Sequence, residues 1–323
     1  MGRRATNRSE WPALYSFVVS RLAISLLAVS FLAIFTTFAR GASGDAPEIT
    51  YRTATAEVRL TFSATDQRGH AIRTLGPRDF AVVDRDDVVR NFQSFARTEW
   101  TKLDLTMLVD ASESVAPHYK QEIADALRLI SQVEKTPDDE TSVITFHRLQ
   151  PALICPENCR ASLVVNQISD VPANGLTPLF DGIVFAADLT SRSADLHTRK
   201  VLVLFSDGED TISRHSAADA VAAALARDVQ IYAVDLNPSG HSSEGTFLLQ
   251  KLASATGGRY FTVGQGADKV YDAVLEDFHA SYAVTYKLPG HAAGFHSVRI
   301  LPTHNLGLHF HCRSGYEYSG RRN

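Results

Sequence analysis

The sequence predicts an α/β protein with a doubly wound, mostly parallel sheet flanked by helices. A small antiparallel β module, built from the N-terminal and C-terminal segments, is added to it. Three observations predict this. Nearly continuous apolar runs, LDLTMLVD at 103–110, TSVITF at 141–146, KVLVLFSD at 200–207 and VQIYAVDL at 229–236, have the composition of strands covered on both faces. Segments with apolar residues every three or four positions separate these runs. On either side of the region apolar and polar residues alternate, the period of half-buried strands.

At the start of the chain, Arg3, Arg4, Arg8 and Arg21 precede or flank an uncharged apolar segment at 22–38, LAISLLAVSFLAIFTTF. A basic start ahead of such a segment marks an export signal or an N-terminal membrane anchor. Ala39 and Gly41 suit the −3 and −1 positions of a cleavage site, while the apolar stretch is nearly long enough to span a bilayer. Both alternatives stand for residues 1–42. Either one places the rest of the chain outside the cytoplasm, in the periplasm, in the extracellular space or tethered to the cytoplasmic membrane.

Residues 43–48 (SGDAPE) form a linker. Val58, Leu60, Phe62 and Ala64 then alternate with Arg59, Thr61, Ser63 and Thr65, which predicts a strand, and Gln67-Arg68-Gly69-His70 is a turn. Phe80-Ala81-Val82-Val83 and Phe92-Gln93-Ser94-Phe95 are further strands, joined through the charged Asp84-Arg85-Asp86-Asp87. Residues 49–99 thus make the β module. Within the α/β region, 101–280, helical spacing appears at 117–134 through Tyr119, Ile123, Leu127, Ile130 and Val133. The alanine-rich 216–227 has the same period, 243–256 and 267–280 are predicted helical, and another helix begins near Pro178. From 281 the alternation returns through Tyr282, Val284, Tyr286 and Leu288, then Val298 and Ile300, so 281–323 is expected to pack as strands with the 49–99 module.

Composition narrows the function. The chain has 323 residues, 45% hydrophobic and 21% charged, which suits a globular protein with a substantial core. A formal charge of −4 and no basic stripe beyond the N-terminus argue against nucleic acid as a partner. Cys155 and Cys159 lie in the short CPENC loop, where an exported chain can keep a local disulfide, and Cys312 is then left over. One C-x3-C is too little for a zinc site.

Ligands of open parallel sheets bind beyond the carboxyl ends of the strands. Asp110-Ala111-Ser112-Glu113-Ser114 follows one predicted strand, Asp207-Gly208-Glu209-Asp210 follows another, and Gly175-Leu176-Thr177-Pro178 opens a helix. Singly, each has a plain structural role as a helix cap or turn. Together they bring carboxylates and hydroxyls to one edge, a hard-oxygen set suited to Mg2+, with Ca2+ or Mn2+ as alternatives. LVDASES resembles the D-x-S-x-S motif of von Willebrand factor A (VWA) domains, the metal-ion-dependent adhesion site (MIDAS). Asp110, Ser112 and Ser114 match its positions, Thr177 in GLTPLFDGI matches the family threonine, and Asp207 in FSDGED matches the second aspartate. The resemblance covers about residues 101–280. It implies that the serines and the threonine ligate the metal directly, that the aspartates act largely through water, and that an Asp or Glu of a protein partner completes the site. The flanks, RTLGPRDFAVVDRDDVVRNFQSF at 73–95 and RSGYEY at 313–318, are similar to exported, acidobacterial-type VWA-related proteins, although Asp86-Asp87 stands where that pattern has a glycine turn.

The leading expectation is therefore an exported, non-enzymatic, metal-dependent binding or adhesion protein. One rival is a metal-assisted hydrolase at the same site, with Glu113, Glu209 or Asp210 as its base. The other is an envelope assembly scaffold with a purely structural metal. Neither a phosphate-binding G-x-x-x-x-G-K-[ST] loop nor a G-x-S-x-G elbow is present, and Ser112 stands where an aspartyl phosphatase would need a carboxylate. His309 and His311 share one face of a predicted strand, more readily as a polar face than as a metal site.

Overall fold

A computed structural model describes residues 57–98, 102–133, 139–190, 198–237, 243–262, 272, 276–289 and 292–320. The N-terminal apolar segment and most of the helix expected at 267–280 lie outside these residues. Among those described, no helix is long and apolar enough to cross a membrane.

The α/β half contains β5 (Leu103–Asp110), α1 (Tyr119–Val133), β6 (Glu140–His147), β7 (Gln150–Cys155), α2 (Ala161–Ser169), α3 (Leu179–Thr190), β8 (Arg199–Ser206), α4 (Ala217–Ala226), β9 (Val229–Asp235), α5 (Glu244–Thr256) and β10 (Tyr260–Thr262). Its six-stranded sheet runs β10-β9-β8-β5-β6-β7, and every neighbouring pair is parallel except β6 with the edge strand β7. All residues of β5 and β9 are buried. Their side chains alternate between two apolar layers. Leu105, Met107 and Val109 face α1 and α2 through Ile123, Leu129 and Val164, whereas Leu108 faces α3, α4 and α5 through Ile183, Ala224 and Leu249. The four apolar runs are thus the four central strands.

Several elements were not anticipated. No residue of β7 is buried and the strand contains Pro151, as suits an edge strand, so it carries no two-sided apolar signature. α2 buries little beyond Val164 and Ile168, and β10 has only three residues. Cys155 and Cys159, at the end of β7 and just before α2, are bonded to each other, and Cys312 is a free thiol.

The remaining strands are β1 (Glu57–Thr65), β2 (Phe80–Asp84), β3 (Asp87–Val89), β4 (Ser94–Arg97), β11 (Ser281–Lys287), β12 (Gly294–Pro302), β13 (His309–Cys312) and β14 (Gly315–Tyr318). They form two four-stranded sheets, β13-β1-β11-β4 and β14-β12-β2-β3, antiparallel throughout. Between them lies a shared core that includes Phe62, Phe80, Tyr282, Tyr286 and Ile300. The charged stretch expected to join two strands is instead a tight β2–β3 hairpin turning at Arg85, whose φ is +53°. The strand expected to open at Phe92 begins at Ser94.

Candidate metal centre

The chain leaves β5 towards β6 on one side of the sheet and leaves β8 towards β9 on the other, so the crevice between β5 and β8 is a topological switch point. Asp110 is the last residue of β5, and Asp207 directly follows β8. The Asp110 side chain is fully buried. Its Oδ1 accepts the Ser112 amide at 2.9 Å and its Oδ2 accepts the Ser206 hydroxyl at 2.7 Å. Ser206 Oγ also accepts the Gly208 amide at 3.0 Å, which ties the loop carrying Asp207 to the end of β5. The hydroxyl oxygens of Ser112 and Ser114 lie side by side at 3.1 Å, with Ser112 buried and Ser114 exposed.

The third loop is drawn in by its backbone. The Asn174 amide donates to the Ala111 carbonyl at 3.0 Å, and the Glu113 amide donates to the Gly175 carbonyl at 3.1 Å. Thr177, itself buried, is clamped to the loop after β8: its amide donates to Thr211 Oγ1 at 2.8 Å, and the Thr211 amide returns a bond to its carbonyl at 2.9 Å. Asp207 Oδ1 accepts the Glu209 amide at 3.0 Å, and its carbonyl accepts Asn237 Nδ2 at 2.7 Å. Asn237 is held in turn by Asp235 at the end of β9, which also accepts Thr246 Oγ1 at 2.8 Å and the Tyr260 hydroxyl at 2.6 Å.

The structure therefore gathers the loops that carry Asp110, Ser112, Ser114, Thr177 and Asp207 at one crevice. Sequence reasoning missed Ser206, Asp235 and Asn237, which make the supporting bonds. The signal for Ser206 was present, since it sits between an apolar strand and an aspartate, but a hydroxyl at that point has no distinctive spacing. The proposed bases fare differently. Glu113 and Glu209 are exposed, whereas Asp210 Oδ1 accepts the Ser213 hydroxyl at 2.5 Å and the Phe180 amide at 3.3 Å, which commits it to the start of α3.

Among the described residues, the charged groups that act on Asp110 and Glu122 are acidic. Burial pushes Asp110 up to about 7, hydrogen bonds from Ser112 and Ser206 oppose the shift, and the charge of Asp207 adds to it. Glu122, on the buried face of α1, is driven well above the carboxylate range by its own burial and by Asp110, Asp207 and Asp125, with only a backbone bond from Asp110 opposing. Among the described residues no three of His, Cys, Asp and Glu converge as a metal-holding group, in the strand with His309 and His311 or elsewhere. An oxygen site in the crevice must therefore draw on hydroxyls. Ser112, Ser114 and Thr177 supply them beside a buried carboxyl, a donor set that fits a hard divalent cation.

Residues 105–209 match the family model of the von Willebrand factor type A domain. The matched span holds Asp110, Ser112, Ser114, Thr177 and Asp207, and the α/β half has a VWA-like fold. No curated protein sequence matches the chain. Similar solved structures include an aerotolerance-related membrane protein from Bacteroides fragilis, at 17% identity and TM-score 0.43, covering 55% of this chain and 98% of that one. A conserved hypothetical protein, BatB, from Bacteroides thetaiotaomicron is similar at 16% identity and TM-score 0.42, covering 54% of this chain and 98% of that one. Proximal thread matrix protein 1 from the mussel byssus, whose structure has a zinc-occupied MIDAS motif, is similar at 16% identity and TM-score 0.47. The match covers 60% of this chain and half of the mussel protein.

Proposed function

We propose that this chain is an exported, non-enzymatic binding protein whose VWA-like half holds a divalent cation and captures an acidic side chain of a protein partner. Asp110, Ser112, Ser114, Thr177 and Asp207 are the residues that would hold the ion. Mg2+ is the preferred ion, with Ca2+ or Mn2+ as alternatives. Bound there, the cation supplies a concentrated positive charge with a coordination position for a partner's Asp or Glu. The observation that carries this is the pair of adjacent Ser112 and Ser114 hydroxyls beside buried Asp110, at the sheet's switch point. Export rests on the basic and apolar N-terminus and on the flanking stretches that resemble exported acidobacterial-type proteins. A hydrolase is disfavoured because Asp210 is engaged at the start of α3 and the remaining acids near the crevice rim are solvated.

Two measurements on the wild-type chain and Asp110→Ala test the proposal. Mg2+ should raise the wild-type melting temperature, by the equivalent of about 2.7 kcal/mol at roughly a hundred times Kd, and EDTA should abolish the rise. Asp110→Ala should fold but not respond. Material captured from envelope extract in Mg2+ should be released by EDTA and not captured by Asp110→Ala. If EDTA lowers the melting temperature yet releases nothing, the scaffold alternative is correct. If Asp110→Ala binds Mg2+ as tightly as wild type, the site assignment fails.

A further inference from the structure

At the end of the central sheet opposite the crevice, a pocket of about 310 Å3 opens between the starts of β5 and β6, the loop after β7 and the last turn of α3. The parallel register sets Asp104 of β5 beside Glu140 of β6 and beside Lys200 of β8. Ser142 stands two residues beyond Glu140, on the same face of β6. The bonded pair Cys155 and Cys159 closes the loop that carries Pro156 and Glu157. The Cys159 amide donates to the Thr141 carbonyl at 3.0 Å and so moors that loop to β6.

The pocket's own donors are engaged. Lys102 Nζ donates to Glu140 Oε1, and the Ser142 hydroxyl donates to the Pro156 carbonyl at 2.9 Å. What faces the space is a set of acceptors: the carboxyl groups of Asp104, Glu140 and Glu157. Asp104 is 6% exposed, yet its carboxyl accepts no hydrogen bond among the described residues.

We propose that this pocket binds a guanidinium group, carried by a small free ligand or by an arginine of a partner, with the Asp104 carboxylate as its two-pronged anchor. The proposal does not depend on the cation reading above.

A buried acceptor without a donor is costly, and a ligand that brings donors removes the cost. Guanidinium has five N–H donors in a flat fork and no acceptor, so it matches a wall of acceptors. Two parallel bonds to one carboxylate are its preferred contact, and both Asp104 oxygens are open to it. It is also more weakly hydrated than an ammonium, which eases entry into a half-enclosed space. A bare metal ion fits less well. Among the described residues no three acids converge as a metal-holding group, and the pocket has about ten times the volume of one water.

Titration calorimetry on the full chain at about pH 8, where carboxylates are ionised, tests this with butylguanidine, acetyl-arginine amide and acetyl-lysine amide. The guanidinium probes should bind more tightly than the lysine probe. A preference for butylguanidine assigns the pocket to a free ligand, and a preference for acetyl-arginine amide assigns it to a partner's side chain. Asp104→Asn keeps the shape and removes the charge, so it should bind the preferred probe about 10–100-fold more weakly. Glu157→Gln, at an exposed loop position, should bind it about 2–5-fold more weakly, and it decides the matter if Asp104→Asn does not fold. Wild-type affinity should rise with pH through about 6, because burial holds a proton on Asp104 below that value, whereas Asp104→Asn should show no such rise. A merely structural Asp104 would give no probe binding in wild type, which overturns the proposal. Equal binding of the lysine probe, or wild-type affinity in a folded Asp104→Asn, overturns it as well. Displacement of the probe by Ca2+ from the Asp110→Ala chain would make the pocket a metal site and would likewise overturn it.

Discussion

At the scale of single residues, the molecule keeps several acids where water is scarce, at both ends of the central strands. Asp110 and Glu122 lie at the carboxyl ends, and Asp104 lies at the opposite end, near the start of β5. It is 6% exposed and lines a polar pocket of about 310 Å3 with Glu140, Glu157 and Lys102. Burial pushes Asp104 up to about 6, Glu140 adds to the shift, and Lys200 and Lys102 oppose it. The folded chain therefore holds this proton more tightly than the unfolded chain. The stabilisation is fully present below the ordinary value of 3.8 and is lost as pH rises through about 6. Urea titrations between about pH 4 and 7 should show wild type losing roughly 2 kcal/mol that Asp104→Asn retains, after allowance for solvent at the open pocket. Parallel pH profiles for the two proteins would show that Asp104 is ionised normally in the fold.

At the scale of elements, the position of Asp207 is set by a backbone contact. Gly208 follows it with φ +81°, and a Cβ at Gly208 would fall 2.3 Å from the Gly245 carbonyl oxygen in the first turn of α5. A Cβ at Gly245 would fall 2.2 Å from the Asp207 carbonyl oxygen. No side chain can yield here, because both partners are main chain. Gly245→Ala must therefore push α5 or the Asp207 loop aside. It should cost about 1–3 kcal/mol and weaken the Mg2+ response of the melting temperature. Gly76→Ala is the control, since its Cβ meets only the Asp79 carboxylate at 3.4 Å, and it should leave the Mg2+ response as in wild type. An unchanged Mg2+ response in Gly245→Ala would show that the α5 contact does not place Asp207. The same element is fixed from other directions by Ser243, which caps its first turn by accepting the Thr246 amide at 3.0 Å, and by Thr246 bonded to Asp235.

At the scale of the whole molecule, the sandwich and the α/β half are joined by a few polar contacts. Arg313, between β13 and β14, donates through Nη1 to Asp228 Oδ1 at 2.9 Å and through Nη2 to the Arg59 carbonyl at 2.7 Å. The Ser314 amide donates to the Ala255 carbonyl at 2.8 Å. Arg199 at the start of β8 donates to the carbonyls of Asp277 and Phe278, each at 3.0 Å, and so steadies the entry to β11. Arg313 thus binds α/β residue and sandwich residue at once. Arg313→Ala should lower the sandwich melting transition and split one calorimetric endotherm into two, because each half keeps its own apolar core while the link is lost. A single endotherm shifted as a whole would mean that the apolar contacts alone couple the halves.

The sequence by itself determined the central sheet and the location of the site. The runs at 103–110, 141–146, 200–207 and 229–236 became β5, β6, β8 and β9 because a strand buried on both faces must be apolar along its length, a local property. Asp110 and Asp207 were legible because they interrupt those runs at their carboxyl ends. Only the tertiary structure decided what pairing and packing decide. β1 lies between β11 and β13, with Phe62 opposite Tyr282 and Cys312, partners more than two hundred residues away whose alternation reveals a strand but not its neighbour. Glu122 shares a helical face with Ile123 and Ile130, and periodicity shows which face turns inward without showing whether an acid on it finds a donor. Ser206 and Asn237 bond across loops brought together by the crossing of the chain at the switch point. No spacing along the chain records that closeness, because it arises from the order of strands in the sheet.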